Sequence, residues 1–141
     1  MLTRGGRFVV FNATGDQMRG CWLLEYFPEM MNAAIEFNDR LATEERLERA
    51  GFALASRELY SVHREIRDGF LYFGKHEPSR YLDPRVRAGI SMFASRGESP
   101  DVVRGCARLA DDIANGRFTG VARRYANDRG DYTFWVARRP E

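Results

Sequence analysis

Short apolar runs alternate with amphipathic stretches along this chain. In "RFVVFN", residues 7–12, Phe8, Val9, Val10 and Phe11 stand in succession, and Asn12, Thr14, Gly15 and Asp16 follow at once. An apolar run bounded by turn formers has the pattern of a strand buried on both faces, as in the middle of a parallel or mixed sheet. Residues 16–27, "DQMRGCWLLEYF", then carry Met18, Cys21, Trp22, Leu24 and Tyr26 near helical spacing, with Asp16 as the candidate N-cap. Pro28 opens a further helix, in which Met31, Ala34, Ile35 and Phe37 or Asn38 fall near one face. Proline suits that first position because its missing N–H would have no helical partner anyway.

The stretch "ATEERLERAGF" predicts a helix over 43–50. Thr43 is its expected N-cap, Glu44 and Glu45 sit where the helix dipole favours anions, and Gly51 closes it in a left-handed conformation. A strand over 52–62, "FALASRELYSV", follows without a loop, and a helix running straight into a strand is an α/β pattern. Residues 70–73 read either as a short strand or as an apolar loop. Asp83 and Pro84 then signal a helix start, with Val86, Ile90 and Phe93 at helical spacing. Ser99 and Pro100 repeat that signal for a helix with Val102, Cys106, Leu109 and Ile113 on one stripe, ended by Asn115 and Gly116. In "DYTFWVARR", residues 131–139, Tyr132, Phe134 and Val136 alternate with Thr133 and Trp135, which predicts a strand. Residues 64–130 are thus a mostly helical insertion between two strands of one domain spanning 1–141.

Composition narrows the function classes. The 141 residues carry 44% hydrophobic side chains, with ten Phe, six Tyr and two Trp to fill a core. Lys and Arg number 22 against 20 Asp and Glu, a near balance that argues against a nucleic-acid surface. The pairs Arg123-Arg124 and Arg138-Arg139 read as a solvated helix face and a polar strand end. No apolar stretch approaches the length that spans a bilayer and no signal-peptide pattern is present, so a soluble, cytoplasmic protein is expected. Cys21 and Cys106, far apart within apolar periodic segments, read as reduced thiols.

Motifs for common chemistries are missing. No G-x-G-x-x-G run occurs, and Gly5-Gly6 precedes a strand where a phosphate cradle would follow one. His63 and His76 lie beside Glu65 and Glu77 at spacings that fit no ligand rule, so no metal is expected. No Ser or Cys lies in a nucleophile motif. Trp22, Tyr26 and Phe27 lie just beyond the C-terminal end of strand 7–12, where open α/β sheets bind ligands. They read either as a ligand wall or as ordinary core.

In order along the chain, "RGGRFVVFNAT", "EYFPEMMNAAIEF", "ATEERLERAGFALASRELYSV" and "GDYTFWVARRP" resemble the C-terminal half of class I S-adenosylmethionine-dependent methyltransferases of the small-molecule type. The matching motifs are the GG-R-apolar run of the family's fifth strand, the L-x-x-A-G-F of Leu47 to Phe52 before its sixth, and an aromatic seventh strand ending in "ARRP". The segment "YLDPRVRAGISMFA…SPDVVRGCARL" resembles the family's helical insertion.

The resemblance implies an α/β fold with a partial Rossmann-like sheet. The family's strand order, 3-2-1-4-5-7-6, would place strand 131–138 between strands 7–12 and 53–62, antiparallel to both. It implies S-adenosylmethionine as cofactor, yet the family's Gly-rich loop after its first strand, the acidic residue at the end of its second and the side chains after its fourth have no counterpart here. A substrate-side fragment, inactive alone, is therefore expected. Asn12, Thr14, Trp22, Tyr26 and Phe27, with Tyr81 and Met92 on the helical cap, are the expected substrate-binding residues, and their role would be alignment. The open edge of strand 7–12 implies a homo-oligomer or a complementary N-terminal half as partner. The competing reading is a non-catalytic α/β module that binds a small ligand or drives oligomerisation.

Overall fold

The computed structural model describes residues 5–40 and 42–140. Three strands, β1 (Arg7–Asn12), β2 (Ala53–Tyr60) and β3 (Tyr132–Arg138), form one sheet in the order β1-β3-β2. β3 is antiparallel to both neighbours, pairing Val10 with Trp135 on one side and Arg57 with Trp135 on the other. The strand the sequence places in the middle does lie there. Its alternation explains how it is held: Thr133, Trp135 and Ala137 are buried on one face, while Phe134 and Val136 on the other are half-buried.

The first strand departs from expectation. It is an edge strand, and Phe8, Val9 and Phe11 are 40%, 56% and 36% exposed, where the apolar run predicts burial on both faces. Pattern alone reports what a strand could bury; among the described residues β1 pairs with β3 alone, and its other edge is open.

Between β1 and β2 run α1 (Gly15–Arg19), α2 (Leu23–Tyr26), α3 (Pro28–Arg40) and α4 (Thr43–Arg49). The helix expected over 16–27 is two short pieces broken near Gly20, and its N-cap is Thr14, not Asp16. Thr14 Oγ1 accepts from Gln17 N–H while Gln17 Oε1 accepts from Thr14 N–H, a reciprocal pair that satisfies two donors otherwise left over at a helix start. Pro28 begins α3 as expected, which buries Met30, Met31 and Ile35 and leaves Phe37 exposed beneath the Arg46 guanidinium. Thr43 is the first residue of α4 and not its cap, because its hydroxyl is engaged by Asn12. Gly51, at φ 80°, closes α4 in the left-handed region that favours glycine.

After β2 the chain enters a turn-rich loop that contains residues 70–73, so these form no strand. A 3-10 turn (Pro78–Leu82) leads to α5 (Pro84–Ala88), α6 (Ser91–Ala94), α7 (Pro100–Ala114) and α8 (Phe118–Arg124). Asp83 caps α5 by accepting from Arg85 N–H, but Gly89 ends the helix, so Ile90 and Phe93 do not continue its stripe. Ser99 precedes α7 without a side-chain capping bond.

The main core lies among the helices. Trp22 is its centre, meeting Tyr26, Tyr72, Tyr81 and Phe118 edge to face at centroid separations of 4.9 to 6.0 Å. Such pairs contribute about 0.5–1.5 kcal/mol each beyond area burial. A second, smaller cluster of Leu47, Trp135 and Ala137 joins α4 to one face of the sheet. The loop after β2 is tied down by Asp131, whose Oδ2 accepts from Val62 N–H at 2.7 Å and from the Lys75 ammonium at 2.8 Å.

Candidate functional site

Where β1 ends, the chain turns directly into α1, and a polar cleft opens there with a volume of about 370 Å³. Thr14, Gly15 and Asp16 form one wall, and Asn38 and Asp39 at the end of α3 form another. Ala42, Thr43 and Glu44 bring in the start of α4, and Arg57 and Trp135 supply a floor from the sheet. The floor is ordered by cross-strand pairing: Arg57 and Trp135 are direct partners, and the guanidinium lies 5.7 Å from the indole centroid. Arg19 pairs with Asp39 and so links α1 to α3 beside the cleft.

Asn12 braces this arrangement from behind. Its Nδ2 donates to Thr43 Oγ1 at 2.7 Å and its Oδ1 accepts from Trp135 Nε1 at 2.8 Å. One side chain thereby fixes β1, β3 and the start of α4 relative to one another. Gln17 repeats the device one turn later, donating to the carbonyls of Arg129 and Tyr132 and accepting from Thr133 Oγ1.

The substrate residues expected from the sequence fall into three places. Thr14 lines the cleft and Asn12 supports it. Trp22, Tyr26, Phe27 and Tyr81 are at most 2% exposed and pack in the main core, away from any open wall. Tyr26 additionally donates from its hydroxyl to Asp112 at 2.9 Å. Met92 borders a separate groove of about 350 Å³ with Asp68 to Leu71 and Gly89 to Ser91. Asn38, Asp39, Thr43, Glu44, Arg57 and Trp135 complete the cleft without a motif to announce them. The one sequence signal was the polar run that follows β1.

Protonation is most strongly shifted away from the cleft. Burial raises the thiol of Cys21 and the phenols of Tyr72, Tyr81 and Tyr132 above their ordinary values. Each therefore stays neutral at pH 7. Asp112 is held below the usual carboxylate range, first by its hydrogen bond from Arg117 and then by that from Tyr26. Among the described residues no group of three or more His, Cys, Asp or Glu is placed to hold a metal, and no helix is long and apolar enough to cross a membrane.

At the turn after β1 a side-chain carbon on Gly15 would meet the Asp39 carboxylate, so glycine is what lets the end of α3 approach α1 here.

No family model and no curated protein matches the sequence. Among solved structures the chain is similar to a candidate methyltransferase from an antibiotic biosynthesis pathway of Anabaena variabilis, with a TM-score of 0.72 and 25% sequence identity. The match covers 94% of this chain and 54% of that one, so this chain spans about half the length of that protein. The α/β arrangement, a three-stranded antiparallel sheet with its helices, is methyltransferase-like.

Proposed function

We propose that this chain is the substrate-side part of a class I S-adenosylmethionine-dependent methyltransferase acting on a small molecule. The observation that carries this reading is the structural likeness over 94% of the chain at a TM-score of 0.72. The central placement of the antiparallel last strand agrees with it. In this reading the cofactor contacts belong to the part of such an enzyme that the match does not cover, since the family's Gly-rich loop has no counterpart in this sequence. Bound S-adenosylmethionine would supply an electrophilic methyl group. This chain would supply the surface that holds and orients the acceptor.

Within that reading Thr14 and Asn12 mark the acceptor side, at the C-terminal end of β1. The interior aromatics Trp22, Tyr26, Phe27 and Tyr81 give that region a rigid backing, and Met92 borders the second groove. Alignment of acceptor and donor is the contribution such a surface makes, and it reaches several kcal/mol when geometry is well fixed.

The test is transfer of labelled methyl from S-adenosylmethionine to a small-molecule mixture. The assay compares the chain alone with the chain co-expressed with the part of the Anabaena protein outside the match. The reading expects product only with both polypeptides, reduced by Thr14→Val. Turnover by the chain alone would overturn it. Product insensitive to Thr14 would remove the acceptor assignment and leave the ligand-binding module as the better account of the cleft.

A further inference from the structure

The cleft at the end of β1 holds two charges that no other side chain answers. Three carboxylates and one guanidinium line it: Asp16, Asp39, Glu44 and Arg57. Arg19 pairs with both Asp16 and Asp39 from beside the cleft, so those two acids already have a cation. Among the described residues, neither Glu44 nor Arg57 makes a side-chain hydrogen bond or an ion pair. An ion pair needs an N···O separation of no more than about 4 Å. Glu44, on α4, and Arg57, on β2, line the same cleft without reaching each other.

Arg57 is placed to bind. Its guanidinium carbon lies 5.7 Å from the ring centroid of the buried Trp135, its cross-strand partner. Contact with a ring face leaves the in-plane N–H fork free, and that fork matches a carboxylate through two parallel hydrogen bonds. Glu44 stands in the first turn of α4, on the wall which that helix contributes. Thr14 offers one further donor: its oxygen accepts from Gln17 N–H, and its hydroxyl proton has no acceptor among the described residues.

This charge pattern selects the ligand. A free anion such as phosphate would gain Arg57 but meet three carboxylates. A bare cation would gain Glu44 but meet the guanidinium. A molecule of both signs, with a carboxylate for Arg57 and an ammonium for Glu44, satisfies the two together. The cleft's volume of about 370 Å³ lies at the small end of small-molecule sites, which span roughly 300–1,000 Å³, so the ligand is of amino-acid size.

We propose that the cleft binds a small zwitterion of the amino-acid class, its carboxylate on Arg57 and its ammonium on Glu44. That this zwitterion is the methyl acceptor rests on the methyltransferase reading; its binding does not.

The test is calorimetric titration of the common L-amino acids into this chain, without S-adenosylmethionine. At least one should bind with a Kd of about 1 mM or below. Its N-acetyl and carboxamide derivatives should each bind about tenfold more weakly, since each loses one charge. Arg57→Met should weaken the parent amino acid about tenfold and leave the carboxamide unchanged, and Glu44→Gln should weaken it similarly and leave the N-acetyl derivative unchanged. Both residues are exposed, so thermal unfolding of the two variants should match that of the unaltered chain. Absence of binding by every amino acid, equal binding of the N-acetyl derivative, or full affinity in Arg57→Met would overturn the proposal. Binding without methyl transfer in the two-polypeptide assay would leave it standing and sink the methyltransferase reading instead.

Discussion

Asn12 holds the indole of Trp135: Nε1 of the tryptophan donates to Oδ1 of the asparagine at 2.8 Å, across the β1–β3 pair. The same amide donates to Thr43, so the end of β1, the middle of the sheet and the start of α4 share one polar joint. Trp135 is 4% exposed, and Asn12 is the partner that the fold gives its N–H. Asn12→Leu should therefore cost about 2 kcal/mol, the penalty of a buried donor left unpaired plus a lost hydrogen bond. Chemical denaturation followed by tryptophan fluorescence measures it. A change below about 0.5 kcal/mol would show that the joint does not hold the cleft.

The turn after β1 depends on Thr14 and Gln17 together. Thr14→Ala removes an N-cap and should cost about 1 kcal/mol. Gln17→Leu should cost more, about 2–3 kcal/mol, because the buried amide serves Arg129, Tyr132 and Thr133 as well as the cap. The double variant should fall short of the sum, since both act through one network. Equilibrium unfolding of the three variants decides the point.

Gly105 on α7 is required by close packing. A side-chain carbon there would overlap the Phe27 ring and the Tyr26 carbonyl. Gly105→Ala should destabilise by about 1–3 kcal/mol through overpacking, although alanine favours a helix over glycine. Stabilisation in a thermal melt would mean that α2 and α7 lie further apart than described.

Alkaline conditions should destabilise the fold. The pKa of Cys21 is raised by burial from an ordinary value near 9.0, and those of Tyr72, Tyr81 and Tyr132 from near 10.0. Above those values the unfolded chain releases protons that the folded chain retains, so stability is full below pH 9 and declines as pH rises beyond it. Cys21 should also resist alkylation at pH 8 until the protein is denatured. Urea midpoints between pH 7 and 11, with thiol counting, check both outcomes.

Much of the architecture was legible because it follows local rules. Gly51 after "ERLER" marked the helix-to-strand junction, and the alternation of residues 132–136 marked the central strand. Element ends were less legible where side chains had other work. Thr43 resembles a cap, yet its hydroxyl is engaged by Asn12, thirty-one positions away. Gly20 and Gly89 break periodic stripes that apolar spacing would have continued. Buriedness misled in both directions: the apolar β1 is exposed, and the aromatics expected beside a ligand are core. The cleft joins β1, α1, α3, α4 and the sheet, so Asp39, Arg57 and Trp135 became neighbours only through the fold.

The most direct test of the central claim is a calorimetric titration of S-adenosylmethionine, first into this chain alone and then into its complex with the unmatched part of the Anabaena protein. The account predicts no binding by the chain alone and micromolar binding by the complex, because the sequence holds no Gly-rich cofactor loop and the proposed reading assigns the cofactor contacts to the unmatched part. Micromolar binding by the chain alone, or none by an intact complex, would contradict it.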